Sequence, residues 1–266
     1  MVVEGTPLHY ETTGSGPALL VIQGGVSDAG GTAQLVELLA PRFTVITYDR
    51  RGLSRSSTPG PPRQGAVLEQ HADDAAALLS ALDVGPARVV GASLGAVIGL
   101  HLLVRTPDAV TGLLAHEPPL PSLVRDPMRE DGLDQIAARA ATGDLLGAIG
   151  DMGRLTEPEP DAEPGAQPSA PPNLLENLAY FFAHDFAAVR ASTLRPEAVA
   201  EAASGERVCL TGGVRSRGRW EYRCAAALAE MLGRQLLELP GGHNGLASHP
   251  RGAAALIGEF IDTGLL

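Results

Sequence analysis

The chain of 266 residues is 44% hydrophobic, enough apolar material for one large α/β domain with a packed core, and its 32 Gly and 21 Pro fall short of a low-complexity composition. Its formal charge of −11 comes from 31 acidic against 20 basic residues, and every basic residue is arginine. Without lysine there is no Schiff-base amine and no P-loop lysine, and an acidic surface whose longest basic cluster is Arg50, Arg51 and Arg55 argues against nucleic acid as a partner.

From Met1 to Gly16 no basic n-region or apolar leader is apparent. No uncharged apolar run approaches the ~18 to 20 residues that cross a bilayer, so a cytoplasmic protein without a membrane partner is expected. Short apolar runs then alternate with alanine- and leucine-rich segments, a pattern that predicts an α/β fold with a mostly parallel sheet flanked by helices. Strands are predicted at Ala18 to Ile22, Phe43 to Tyr48, Arg88 to Gly91, Val110 to Ala115, Arg207 to Thr211 and Gln235 to Leu239. Helices are predicted at Thr32 to Leu39, Leu68 to Leu82, Leu94 to Arg105, Glu221 to Leu232 and Arg251 to Phe260, several of them stopped by Gly or Pro.

The stretch from about Ser122 to Glu201 breaks the alternation. It holds two amphipathic patterns, Leu133 to Leu155 and Leu174 to Ala203, joined by a Pro/Ala/acidic linker from Glu157 to Pro172. It reads as a helical cap at 122–203, inserted into a core formed by 1–121 and 204–266. Within it, Tyr180, Phe181, Phe182, His184 and Phe186 concentrate the aromatics of a chain that is only 4% aromatic; they are either core or the wall of an apolar pocket. Cys209 and Cys224 read as two buried thiols, and no His/Cys/Asp/Glu spacing suggests a metal or cofactor site.

The strongest chemical signal is Gly91-Ala92-Ser93-Leu94-Gly95, directly after a predicted strand and before a predicted helix. Such a turn strains the serine backbone and aims its hydroxyl over the carboxyl end of the sheet, and residues larger than glycine two positions away would collide across it. A serine hydroxyl needs a base to become a nucleophile. His243, in Gly241-Gly242-His243-Asn244 after the last strand, leaves the sheet on the same edge. The oxyanion of an acyl transfer needs two preorganised donors, each worth about 2.7 to 4 kcal/mol. The Leu94 amide is one candidate, and Gly25 or Val26, in the turn Gln23-Gly24-Gly25-Val26, is the other.

With Tyr48-Asp49-Arg50-Arg51-Gly52-Leu53-Ser54 and Ala115-His116-Glu117-Pro118-Pro119 added to these motifs, the chain from Leu8 onward resembles the α/β-hydrolase family, in particular its small actinobacterial-type members. The resemblance implies an eight-stranded, mostly parallel sheet with a helical cap after the sixth strand. It also implies an acid just after the penultimate strand, to orient the histidine. That loop reads Thr211-Gly212-Gly213-Val214-Arg215-Ser216-Arg217, with Arg215 where an acid is expected. Some family members take the acid from the neighbouring strand end, which points to Glu117; Glu221 and Asp185 are weaker alternatives, and Asp49 is better placed to hold the Arg50-Arg51-Gly52 turn.

Three functions stay open on the sequence. The leading one is a serine hydrolase of an ester, thioester or lactone, with Ser93, His243 and Glu117 catalytic and no cofactor. By analogy its substrate is a small apolar or aromatic molecule of natural-product metabolism, walled by Tyr180, Phe181 and Phe182. The second is a non-hydrolytic cyclisation, elimination or acyl transfer, with Arg215 holding a substrate carboxylate or enolate. The third is a silent ligand-binding protein.

Overall fold

A computed structural model describes residues 1–56, 60–157, 159, 161–203 and 208–266. At the N-terminus β1 (Val2–Val3) and β2 (Thr6–Pro7) pair only with each other. Among the described residues the main sheet has seven strands: β3 (Tyr10–Thr13), β4 (Ala18–Ile22), β5 (Thr44–Tyr48), β6 (Ala87–Ala92), β7 (Val110–His116), β8 (Val208–Gly213) and β9 (Leu237–Leu239). Their spatial order is β3-β5-β4-β6-β7-β8-β9, parallel throughout except for the edge strand β3. The α/β class is therefore as the sequence predicts. Among the described residues the eight-strand expectation is corrected to a main sheet of seven strands, with β1 and β2 forming a separate two-stranded sheet. Residue Arg207, the expected start of the fifth predicted strand, and position 204, the expected core boundary, lie outside the described residues.

The helices follow from the same alternation: α1 (Ala33–Leu39), α2 (Val67–Leu82), α3 (Leu94–Arg105), α4 (Pro127–Ala141), α5 (Leu145–Thr156), α6 (Leu174–Tyr180), α7 (Phe186–Arg190), α8 (Pro196–Ala202), α9 (Trp220–Met231), α10 (Gly245–Ser248) and α11 (Pro250–Asp262). A π-helical stretch, Phe181–Asp185, joins α6 to α7. Successive residues of β4 point to opposite faces, so the strand serves two cores and is buried along its whole length. Leu20 and Ile22 pack with α2, α3 and α9 residues such as Leu78, Ile98 and Leu228; Leu19 and Val21 pack with Leu35, Val36, Ile257 and Phe260 of α1 and α11. This explains why apolar runs, rather than alternation, mark the parallel strands in the sequence.

Helices α4 to α8 all lie between β7 and β8 in the chain. The amphipathic pattern at Leu133 to Leu155 is two helices, because Gly143 turns to φ +89° and Asp144 caps α5 by accepting from the Gly147 amide at 3.0 Å. The Pro/Ala/acidic linker, of which Pro158 and Pro160 lie outside the described residues, is tied to the core. The Glu163 amide donates to Ser248 O at 2.9 Å, and Gln34 bonds both Gly165 O and the Gln167 amide. Among the described residues, no helix is long and apolar enough to cross a membrane.

Candidate active site

Parallel pairing brings the carboxyl ends of five strands to one edge, with Ile22 opposite Gly91, Ala92 opposite His116, His116 opposite Thr211 and Gly213 opposite Leu239. β5 lies on one side of β4 and β6 on the other, so the connections out of β4 and β6 part company at this point of the edge. A crevice beyond the strand ends at such a switch point is where open α/β sheets bind ligands.

Ser93 stands there, between β6 and α3, with φ 53° and ψ −123°. Its amide donates to His116 O at 2.9 Å, which ties the turn to the neighbouring strand. A side chain at Gly91 would overlap the Gly95 carbonyl, and one at Gly95 would overlap the Ile22 carbonyl, so both glycines are required by space. The Leu94 amide opens α3 and donates to no acceptor within the described residues, as expected at a helix N-terminus.

Glu117 also has a positive φ, 46°, immediately beyond β7. A side chain in this backbone region is uncommon and persists only where the surroundings hold it. They do so with two bonds: Oε1 accepts from the Gly213 amide at 2.8 Å, and Oε2 accepts from His243 Nδ1 at 2.8 Å. The Glu117 side chain is fully buried. Burial alone would push its carboxyl up, but the His243 hydrogen bond, the nearby imidazoles and the Gly213 amide bring it down to about 2, so it is anionic at neutral pH. For His243, burial lowers the pKa while the Glu117 hydrogen bond and the charges of Glu221, Glu117 and Glu157 raise it, with a net rise. With Nδ1–H donating to the carboxylate, Nε2 carries the lone pair. Behind this pair, His116 Nε2 donates to Gly242 O at 3.2 Å and Nδ1 faces the Thr211 hydroxyl at 3.0 Å; burial lowers its pKa.

Ser93 and His243 line one cavity of about 330 Å³ together with Leu94, Gly25 and Val26. Its apolar wall includes Leu133, Ile149, Met152, Phe181, Phe186 and Trp220, mostly from the helices between β7 and β8. Arg129 also lines it, ion-paired to Glu221 and stacked 4.2 Å from the Trp220 ring centroid. Gly25 has φ 49°, in the left-handed region where glycine is favoured.

The predicted residues divide accordingly. Glu117 reaches His243, and Ser93, His243, Leu94, Gly25, Val26 and Phe181 share the cavity. Tyr180 and Phe182 are not among its lining residues: the Tyr180 ring packs over Gly52 and Phe182 packs edge-on to Phe181 at 5.2 Å. Arg215 is also absent from the lining. It is half exposed, with its guanidinium 3.7 Å from Glu159 and 3.8 Å from Asp161, so its charge is turned to the acidic linker instead of the cavity. Of the alternative acids, Glu221 is engaged by Arg129, and Asp185 by Arg50 and His71. Asp49 accepts from the Ala29 amide and from the Arg55 amide and guanidinium, not from the Arg50-Arg51-Gly52 turn expected of it. Cys209 and Cys224 are buried free thiols, Cys224 Sγ donating to Leu120 O at 3.6 Å, and burial pushes each thiol up to about 12.

The sequence profile of the alpha/beta hydrolase fold matches residues 17–145. The chain is 36% identical over 262 residues to a Bacillus subtilis (strain 168) protein named uncharacterized hydrolase YraK, covering 98% of this chain and 94% of that one. The chain belongs to the alpha/beta hydrolase fold family. Among solved structures it is similar to an alpha/beta hydrolase from Sphaerobacter thermophilus DSM 20745, with a TM-score of 0.72, 27% identity and 97% of each chain covered. The enol-lactonase from Burkholderia xenovorans LB400 shares the fold at a TM-score of 0.72 and 20% identity, over 98% of each chain.

Proposed function

We propose that this chain is a serine hydrolase that cleaves an ester, thioester or lactone, with Ser93 as nucleophile, His243 as general base and Glu117 as the acid that orients it. The observation that carries the reading is the 2.8 Å Glu117–His243 pair, which leaves Nε2 as the basic nitrogen in the cavity that also holds Ser93. In the reaction Ser93 Oγ attacks the substrate carbonyl carbon while its proton passes to His243 Nε2. The carbonyl oxygen becomes an oxyanion held by the Leu94 amide and by that of Gly25 or Val26. Collapse breaks the bond to the leaving oxygen or sulfur, which takes the proton from His243; water then repeats the sequence on the acyl-enzyme and restores Ser93.

Residues 122–203 serve as a cap over a core of 1–121 and 204–266, and their apolar side chains select a small apolar or aromatic acyl group. A role in natural-product metabolism and a cytoplasmic site of action complete the reading. The enol-lactonase among the structural neighbours makes a lactone a reasonable first substrate class, on fold likeness alone. The non-hydrolytic alternative rested on an arginine at the pocket edge, and Arg215 faces Glu159 and Asp161. The test is hydrolysis of short p-nitrophenyl esters and of simple lactones by wild type and Ser93→Ala. Turnover by wild type alone supports the proposal, and equal rates for the two proteins would overturn it.

A further inference from the structure

We propose that the helical segment between β7 and β8 positions the oxyanion-binding turn. Asp185, acting through Arg50, holds the Gly25 carbonyl so that the Val26 amide that follows it stays directed into the cavity, and Asn177 anchors the next peptide of the turn through the Val26 carbonyl. The inference rests on the serine-hydrolase reading, and it makes Arg50, Asp185 and Asn177 positioning residues for that chemistry.

A trans peptide carries its C=O and N–H on opposite sides, so fixing a carbonyl fixes the direction of the amide that follows it. The last three carbonyls of this turn are held. Gly24 O accepts from the Ser27 amide at 3.1 Å, Gly25 O accepts from Arg50 Nη2, and Val26 O accepts from Asn177 Nδ2 at 2.9 Å. The Gly25 and Val26 amides have no acceptor among the described residues. The turn is thus clamped by its acceptors while its donors are left for a ligand. Gly24 and Gly25 have no side chains to hold the backbone, and glycine populates both signs of φ. A flipped peptide would aim a carbonyl dipole at the developing oxyanion and replace attraction with repulsion.

The clamps themselves are rigid. Arg50 and Asp185 are both fully buried and paired at 2.7 Å, and the second Asp185 oxygen faces His71 Nε2 at 3.0 Å. Burial pushes the Asp185 carboxyl up, but Arg50 and His71 outweigh it and bring it down to about 2. Asn177 is also buried; its Oδ1 accepts from the Ser54 amide at 2.7 Å, which fixes the amide orientation that bonds Val26 O. Asn177 sits on α6 and Asp185 in the π-helical stretch that follows, a departure from α-geometry often found at functional sites. One continuous helical run therefore places Phe181 in the cavity wall and grips the turn twice.

Arg50→Lys and Asn177→Ala test this. Lysine keeps the charge opposite Asp185 but lacks the fork that reaches Asp185 and Gly25 O together. Each variant is compared with wild type and Ser93→Ala for thermal unfolding, for kcat and KM on a p-nitrophenyl ester, and for affinity toward an arylboronic acid that forms a tetrahedral serine adduct. The expected result is folded variants whose kcat falls by about tenfold to hundredfold, less than the loss of a whole donor, with KM changed by less than roughly threefold and boronate affinity falling in step with kcat. A purely structural role would lower the unfolding temperature and leave the kcat/KM split and the boronate affinity alone. If Arg50→Lys does not fold, Asn177→Ala decides. Wild-type kcat and boronate affinity in the folded variants, with Ser93→Ala inactive, would overturn this inference alone; a wild type no more active than Ser93→Ala would overturn the hydrolase reading and the inference with it.

Discussion

Replacing Glu117 with Gln keeps the shape of the side chain and removes only its charge and its purely accepting character. Its two oxygens now receive the Gly213 amide and His243 Nδ1–H, both at 2.8 Å. A glutamine that offers its oxygen to Gly213 presents its NH2 to Nδ1, which forces the imidazole proton onto Nε2 and removes the base. The opposite orientation sets NH2 against the Gly213 amide, donor to donor, in a buried site. Asp-to-Asn changes of this kind in a serine triad lower turnover by about 10⁴, and a loss of about 10³ to 10⁴ in kcat/KM is expected here. Stability responds as well. A carboxyl lowered from 4.5 to about 2 by folding contributes on the order of 3 kcal/mol, present above its unfolded pKa and lost as pH falls through the folded one. Urea unfolding between pH 6 and pH 2, alongside ester turnover, measures both effects. Wild type should lose this increment on acidification and Glu117→Gln should not. A glutamine variant within tenfold of wild-type turnover would refute the assignment of Glu117.

Other consequences follow from the same geometry. Because the Glu117 bond and the charges of Glu221, Glu117 and Glu157 outweigh burial and raise the His243 pKa, the acid limb of kcat/KM should lie above histidine's ordinary 6.5 and move to lower pH in Glu117→Gln; a limb at or below 6.5 in wild type contradicts this. Gly95→Ala should destabilise the fold by about 1–3 kcal/mol in urea melts, since its methyl would overlap the Ile22 carbonyl, whereas an alanine at Gly233, which has open space around it, should show no overlap penalty and only the cost of its left-handed backbone. Arg215→Asp should leave ester turnover within about twofold, as expected for a half-exposed residue whose ion pairs are with the linker; a large loss would return Arg215 to the chemistry.

The parts of the fold and site that were legible in the sequence are those with short-range signatures. A strand buried on both faces leaves an unbroken apolar run, so β4, β5 and β6 were readable, and the spacing of Gly91, Ser93 and Gly95 encodes the elbow directly. β3 escaped because Tyr-Glu-Thr-Thr on a sheet edge buries none of its residues fully and leaves no apolar run. The Arg50–Asp185 and Asn177–Val26 contacts span 135 and 151 residues, and nothing local to Arg50 or Asn177 distinguishes them from solvated polar side chains. The aromatic run is visible as a cluster, but only the packing shows which rings enter the cavity: Phe181 and Phe186 do, and Tyr180 turns to Gly52. The position of Arg215 in the loop after β8 suggests the pocket, and only the fold shows the side chain directed at the acidic linker.

The assignment of Ser93 as nucleophile and Glu117 as its acid is tested most directly by labelling with an active-site-directed fluorophosphonate, read by intact mass on wild type, Ser93→Ala and Glu117→Gln. One rapid adduct is expected on wild type, none on Ser93→Ala, and labelling slowed by orders of magnitude on Glu117→Gln. A folded wild type that takes up no label, or an adduct that persists in Ser93→Ala, would contradict the assignment.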